Sequence, residues 1–150
     1  MSLPVTLRPP QTTRELNLVR SSWTKSMMRT RPVRVRFDEG SRARVTMLDN
    51  RTFVEGHARQ VDRTLSRASV ILAVPTATET TIAGWICFDA ECVHYAYVVS
   101  TFRSMGVARE LLEKAGAMPR AFSQWSHACD RGLGAKLEAR GWTWDPTRFG

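Results

Sequence analysis

Residues 93–114 read Val-His-Tyr-Ala-Tyr-Val-Val-Ser-Thr-Phe-Arg-Ser-Met-Gly-Val-Ala-Arg-Glu-Leu-Leu-Glu-Lys, and their order decides the fold. The apolar, aromatic and β-branched run Val93–Val99 predicts a buried strand. A polar loop with Arg103, Ser104 and Gly106 follows. A helix is expected from Val107 or Ala108, with Leu111, Leu112 and Ala115 on one side. A strand that leaves through a glycine-bearing loop into a helix N-terminus is a device for holding an anion. The first N–H groups of the helix lack intrahelical partners, and the helix dipole favours negative charge there. At Gly106 the missing side chain lets backbone come close to a phosphate.

Arg103-Ser104-Met105-Gly106-Val107-Ala108 fits the pattern Arg/Gln-x-x-Gly-x-Gly/Ala. It resembles the coenzyme A pyrophosphate loop of the GNAT superfamily of acyl-CoA N-acyltransferases. The preceding Tyr-Val-Val-Ser-Thr-Phe is similar to that family's fourth strand and its exit. A lone Gly-x-Ala would say little, because glycine turns between strand and helix are common. The six-residue pattern, with an aromatic strand before it and Leu-Leu after it, is more specific. The resemblance implies an α/β (α+β) fold: a mixed central sheet with splayed fourth and fifth strands, flanked by helices, in a single domain over residues 1–150.

The wider chain fits one such domain. A chain of 150 residues buries about 70% of its unfolded surface when it folds. No stretch approaches the ~20 apolar residues that span a bilayer, and the first residues lack the apolar core of a signal peptide. Cys87, Cys92 and Cys129 leave an odd cysteine and no Cys-x-x-Cys spacing. Cys92-x-His94 offers two ligands at most, so buried strand cysteines are the better reading and no metal is expected. A reduced, cytoplasmic protein with no membrane contact follows.

Charge is unevenly placed. The formal net charge is +8, and residues 1–67 carry all of the excess, with fourteen basic and six acidic side chains. Nineteen of the twenty-two basic residues are arginine, the side chain suited to bidentate phosphate contacts. One reading is a solvated surface. The other is an anionic partner, with nucleic acid the leading case.

Pro4–Arg8 predicts a short opening strand. Thr12 and Glu15 form a capping box for a helix with Leu16, Val19, Trp23 and Met27 at helical spacing. The arginine-rich residues 29–48 are expected to form an exposed loop. Thr52 and Glu55 form a second box, before a helix with Val54, Ala58, Val61 and Leu65 on one face. Strands are expected at Val70–Val74, Ile82–Phe88, Cys92–Val99 and Phe122–His127. A helix from about Asp130 to Arg140 stops at Gly141, and Gly141–Trp144 forms a last strand. The order β-α-α-β-β-β-α-β-α-β is the GNAT order, with the usual seventh strand missing or minimal.

The resemblance implies direct acyl transfer from an acyl-CoA, with acetyl-CoA the expected co-substrate, to an amine. Tyr97, Val98 and Val99 would offer backbone groups to pantetheine and thioester, and residues Arg103, Ser104, Met105, Gly106, Val107 and Ala108 would hold the pyrophosphate. Family members carry a catalytic glutamate where Cys92 stands here, and cysteine is no substitute. By strand alternation Cys92, His94, Ala96 and Val98 share a face, so His94 is the candidate base, with Glu91 a weaker one. The family's general acid is a tyrosine where this chain has Leu137. Ser126 and His127 are the alternative donors.

Trp23, in Ser-Ser-Trp-Thr-Lys-Ser, resembles the first helix of small GNAT-like proteins encoded by phages. One such group, the Mom-type proteins, modifies adenine in DNA. Candidate substrate contacts are Trp23 from this resemblance, His57 on the helix that in the GNAT fold borders the acceptor cleft, and Arg34 and Arg36 in the basic N-terminal half. Three functions stay open on this sequence: an N-acyltransferase, a Mom-like nucleic-acid modifying enzyme on the same fold, and a non-catalytic acyl-CoA or nucleic-acid binding module. The N-acyltransferase is the leading reading and the Mom-like enzyme the runner-up; the missing glutamate and tyrosine are what support the binding module.

Overall fold

A computed structural model describes residues 2–27, 33–39, 42–48, 50–115, 121–123, 132 and 134–145. The elements run β1 (Val5–Arg8), α1 (Thr13–Met27), β2 (Val33–Glu39), β3 (Arg42–Leu48), α2 (Asn50–Arg67), β4 (Ser69–Pro75), β5 (Gly84–Phe88), β6 (Cys92–Val98), α3 (Val107–Lys114), β7 (Ala121–Phe122), α4 (Gly134–Ala139) and β8 (Thr143–Trp144). The fold is α+β, with a mixed, open six-stranded sheet in the order β1-β4-β5-β6-β7-β8. The pairs from β1 to β6 are antiparallel, whereas β6–β7 and β7–β8 are parallel.

Alternation along the central strands sorts two cores. Val70, Leu72, Val74, Trp85 and Cys87 face α1 and α2, where Val19, Trp23 and Val61 meet them. Ala73, Ile86 and Val93 face the other way and pack against Val107 and Leu111 of α3. The first core is aromatic: Trp23 stacks on Tyr95 at 5.5 Å between ring centroids and tilts against Trp85 at 5.4 Å.

Helix α1 starts with the forward half of its capping box, and the return bond falls one residue early, on Gln11. The Glu15 N–H donates to Thr12 Oγ1 at 3.1 Å, and the Glu15 carboxylate accepts from the Gln11 N–H at 2.8 Å. That carboxylate also grips Arg8 of β1 through two bonds, at 3.0 and 2.6 Å. Leu16 departs from its expected core position: it is 42% exposed, because the apolar face of α1 enters the core only at Val19. On α2 the buried stripe is His57, Val61 and Thr64, with Leu65 packed beside it.

Further expectations need correction. Thr52 is not the N-cap of α2, because that helix already begins at Asn50. Within the expected loop 29–48, residues 33–39 and 42–48 are strands: β2 and β3 pair antiparallel from Val33↔Leu48 to Glu39↔Arg42, as a separate two-stranded sheet. Residues 29–32, 40 and 41 lie outside the described residues. Val33, Val35 and Phe37 alternate with Arg34, Arg36 and Asp38, which is the period of a strand; the high arginine content obscured it. Strict alternation along β6 also fails. Phe88 pairs with Val93 but Cys87 pairs with Tyr95, so the ladder slips at His94. This bulge puts Val93 in the α3-side core, while Tyr95 and Tyr97 pack on the α1 side.

Candidate functional site

The first part of the site is the exit of β6. After Val98 the chain makes a single 3-10 turn, Ser100–Phe102, and enters α3 through Arg103–Gly106. Two residues take left-handed backbone there, Ser104 at φ 64° and Gly106 at φ 80°. Gly106 is the N-cap of α3, and no side chain caps that helix. The Arg103 Nε–H donates to the Val98 carbonyl at 3.2 Å, tying the loop to the strand. The Leu3 N–H donates to the Met105 carbonyl at 2.9 Å and fixes the loop from the other side. Arg103, Ser104, Gly106 and Ala108 are exposed and Met105 is half-buried, whereas Val107 anchors the helix in the core. An uncapped helix start behind a left-handed glycine suits an anion.

Gly84 positions the strand above this loop. A Cβ on Gly84 would lie 2.6 Å from the Tyr97 carbonyl oxygen and 3.2 Å from Val107 Cγ1. Only glycine lets β5, β6 and α3 approach this closely. On its other side β6 meets β7, among the described residues, through Cys92↔Ala121 and Val93↔Phe122. Tyr97, Val98 and Val99 are half-buried beyond that pairing.

The second part is a cleft of about 500 Å³ between α1 and β6. Arg14, Leu18, Ser21, Ser22, Lys25 and Tyr97 are among its lining residues. Ser22 donates to the Leu18 carbonyl at 2.8 Å and accepts from Trp85 Nε1–H at 2.8 Å. Ser26 likewise donates to the Trp23 carbonyl and accepts from the Tyr95 hydroxyl. These bonds lock α1 onto the aromatic core and hold the cleft's shape.

The third part is buried. His94 is 1% exposed, with Nε2 2.9 Å from Asp89 Oδ2 and Nδ1 2.8 Å from Ser123 Oγ. Burial pushes the Asp89 carboxyl up, but the Glu91 amide, the His94 ring and the Cys92 amide together hold it below its ordinary value. We assign the Nε2 proton to the bond with the ionised Asp89, so that in the neutral ring Nδ1 accepts from Ser123. Arg67 Nη1 stands 3.9 Å from the same carboxylate.

The structure thus brings Tyr97, Val98, Val99 and residues 103–108 together at one end of β6. It places the other candidates elsewhere. His94 sits inside, with both ring nitrogens engaged. Trp23 is fully buried and His57 is 3% exposed, so each belongs to the core and neither lines the cleft. Glu91 is exposed in the β5–β6 turn. Arg34 and Arg36 lie on β2, where only the backbone is described, and Ser126, His127 and Cys129 fall outside the described residues. Leu137 is on α4. Cys87 and Cys92 are fully buried, and burial pushes the Cys87 thiol up to about 12. Among the described residues no group of three or more His, Cys, Asp or Glu side chains could hold a metal ion, and no helix is long and apolar enough to cross a membrane.

Sequence reasoning missed Asp89, Ser123, Gly84 and the cleft residues of α1. Arg14, Leu18, Ser21 and Lys25 recur at three- and four-residue intervals, which was the available signal for the cleft. No protein-family model matches the chain, and a search of curated proteins finds no match.

Proposed function

We propose that this chain is an N-acyltransferase of the GNAT type, passing an acyl group, acetyl in the first instance, from acyl-coenzyme A to an amine. The observation that carries this reading is the loop from Arg103 to Ala108, with its left-handed Gly106, its uncapped helix start and its tie to the end of β6. The mixed open sheet is compatible with it, and the element order agrees apart from the β2–β3 pair between α1 and α2, although fold alone does not establish function.

In this reading the amine nitrogen attacks the thioester carbonyl. A C–N bond forms, the C–S bond breaks, the amine loses a proton, and the departing thiolate gains one. The N–H groups opening α3 and the Arg103 guanidinium would hold the pyrophosphate, and the backbone of Tyr97–Val99 would orient the thioester. No described side chain takes the place of the family's glutamate or tyrosine. Positioning of the two reactants therefore carries most of the rate enhancement in this reading.

The test is release of coenzyme A thiol from acetyl-CoA in the presence of an amine panel, with mass spectrometry of the products. An acetylated amine is the expected result. Tight acetyl-CoA binding with no acetylated product would favour a binding module.

A further inference from the structure

Helix α1 carries four charged side chains, Arg14, Glu15, Arg20 and Lys25. Two are neutralised: Glu15 by Arg8, and Arg20 by Asp62 of α2. Arg14 and Lys25 have no carboxylate partner among the described residues, and both line the cleft between α1 and β6. They stand eleven positions apart, which at ~1.5 Å per residue separates them by about 16 Å along the helix. That span exceeds one phosphate or carboxylate. It suits an extended anion lying along the helix.

The cleft between the two cations has a distinctive chemistry. Asn17 and Ser21 offer donors, and among the described residues these donors have no partner and no carboxylate lines the cleft. Its floor is apolar: Leu18 is 42% exposed, and the Tyr97 ring is backed by Trp85 at 6.2 Å. Separated cations, short polar donors and a braced aromatic ring match a backbone of phosphates with flat bases attached. An acidic peptide would satisfy the cations, but it brings a flat group to the ring only where an aromatic residue falls in register, whereas every nucleotide carries one.

We propose that the α1–β6 cleft binds single-stranded nucleic acid, with phosphates at Arg14 and Lys25 and a base against Tyr97. This deepens the acyltransferase reading, on which it rests for one point only: the amine that receives the acyl group is then one that the bound strand carries. The binding itself stands or falls separately.

The probe is a short, fluorescein-labelled single-stranded oligodeoxynucleotide of mixed sequence, titrated with the whole chain at several salt concentrations and read by anisotropy. The wild type should bind, and more weakly as salt rises. The double variant Arg14→Gln/Lys25→Gln should lose about tenfold or more in affinity, and its salt slope should flatten by about 1.4. Tyr97→Leu should lose about tenfold. Arg20→Gln removes the same charge from a cation already paired with Asp62, and should bind as the wild type does. Equal binding by the double variant and the wild type would overturn the proposal. So would an equal loss in Arg20→Gln, which would reduce the effect to net charge. A polyglutamate peptide that binds as tightly as the oligonucleotide, with the same loss in the double variant, would assign the cleft to acidic protein instead. A chain that binds oligonucleotide here but no acetyl-CoA would keep this inference and remove the acyltransferase reading.

Discussion

His94 Nε2 lies 2.9 Å from the Asp89 carboxylate, and this contact pins the turn between β5 and β6 to the interior of the sheet. On its other side the ring reaches Ser123 at the end of β7. One imidazole therefore links the β5–β6 turn, a bulged β6 and the short parallel strand β7. A base role for His94 would require it to give up one of these bonds.

Replacing His94 should cost stability. His94→Ala empties a buried site and leaves the Ser123 hydroxyl and Asp89 without that partner, a loss of about 2–4 kcal/mol. Urea unfolding measures this. Stability equal to the wild type would contradict the clamp and return His94 to the list of bases.

The Arg8–Glu15 pair predicts an acid-sensitive contribution. Hydrogen bonds from Arg8 and the Gln11 amide hold the Glu15 carboxyl at about 2, against an ordinary 4.5. A carboxyl depressed in the folded state stabilises it in full above its unfolded value and stops doing so as pH falls through the folded one. Glu15→Gln should thus cost about 1 kcal/mol at neutral pH, and the difference from wild type should vanish as pH falls from about 4.5 to about 2. Thermal melts across that range check it. A difference independent of pH would contradict the assignment.

Gly84 should tolerate no side chain. With a Cβ 2.6 Å from the Tyr97 carbonyl, Gly84→Ala must push β6 away from β5, at a cost of about 1–3 kcal/mol. Because the same carbonyl belongs to the Tyr97–Val99 segment, acetyl-CoA affinity should fall with stability. Denaturant titration and calorimetry on the one variant report both. Unchanged values would mean that the strands have room to spare.

Much of this architecture is legible in the residues. Thr12 and Glu15 announce the start of α1, and the apolar runs at 70–74, 82–88 and 92–99 announce the central strands, which the structure bounds at 69–75, 84–88 and 92–98. Gly141, at φ 85°, ends the last helix segment as its position suggests. Other features are not local. The pairing of β2 with β3 hides behind its arginines, because charge and period gave opposite signals there. The bulge at His94 is a slip between two strands, so nothing within β6 marks it. Trp23 looks like a contact residue in a polar helix, yet its burial depends on Trp85 and Tyr95, more than sixty positions away. The cleft on α1 needs Tyr97 to close it, and that pairing is tertiary.

The cysteines should be inert in the native state. Burial drives the Cys87 thiol to about 12, and Cys92 is fully buried beside it in the sheet. Peptides containing Cys87 and Cys92 should escape iodoacetamide until denaturant is added. Rapid native labelling of either would show that this part of the sheet opens readily.

Calorimetric titration of acetyl-CoA into the wild type, Gly106→Val and Arg103→Ala tests the central claim most directly. Gly106 holds a left-handed backbone that valine rarely adopts, at φ 80°, so Gly106→Val should abolish close approach of the pyrophosphate. Arg103→Ala should weaken binding by about 1.5–3 kcal/mol, the worth of a charge-assisted contact. The account predicts wild-type binding, lost in the first variant and weakened in the second. Absence of binding by the wild type, or equal affinity in all three proteins, would contradict it.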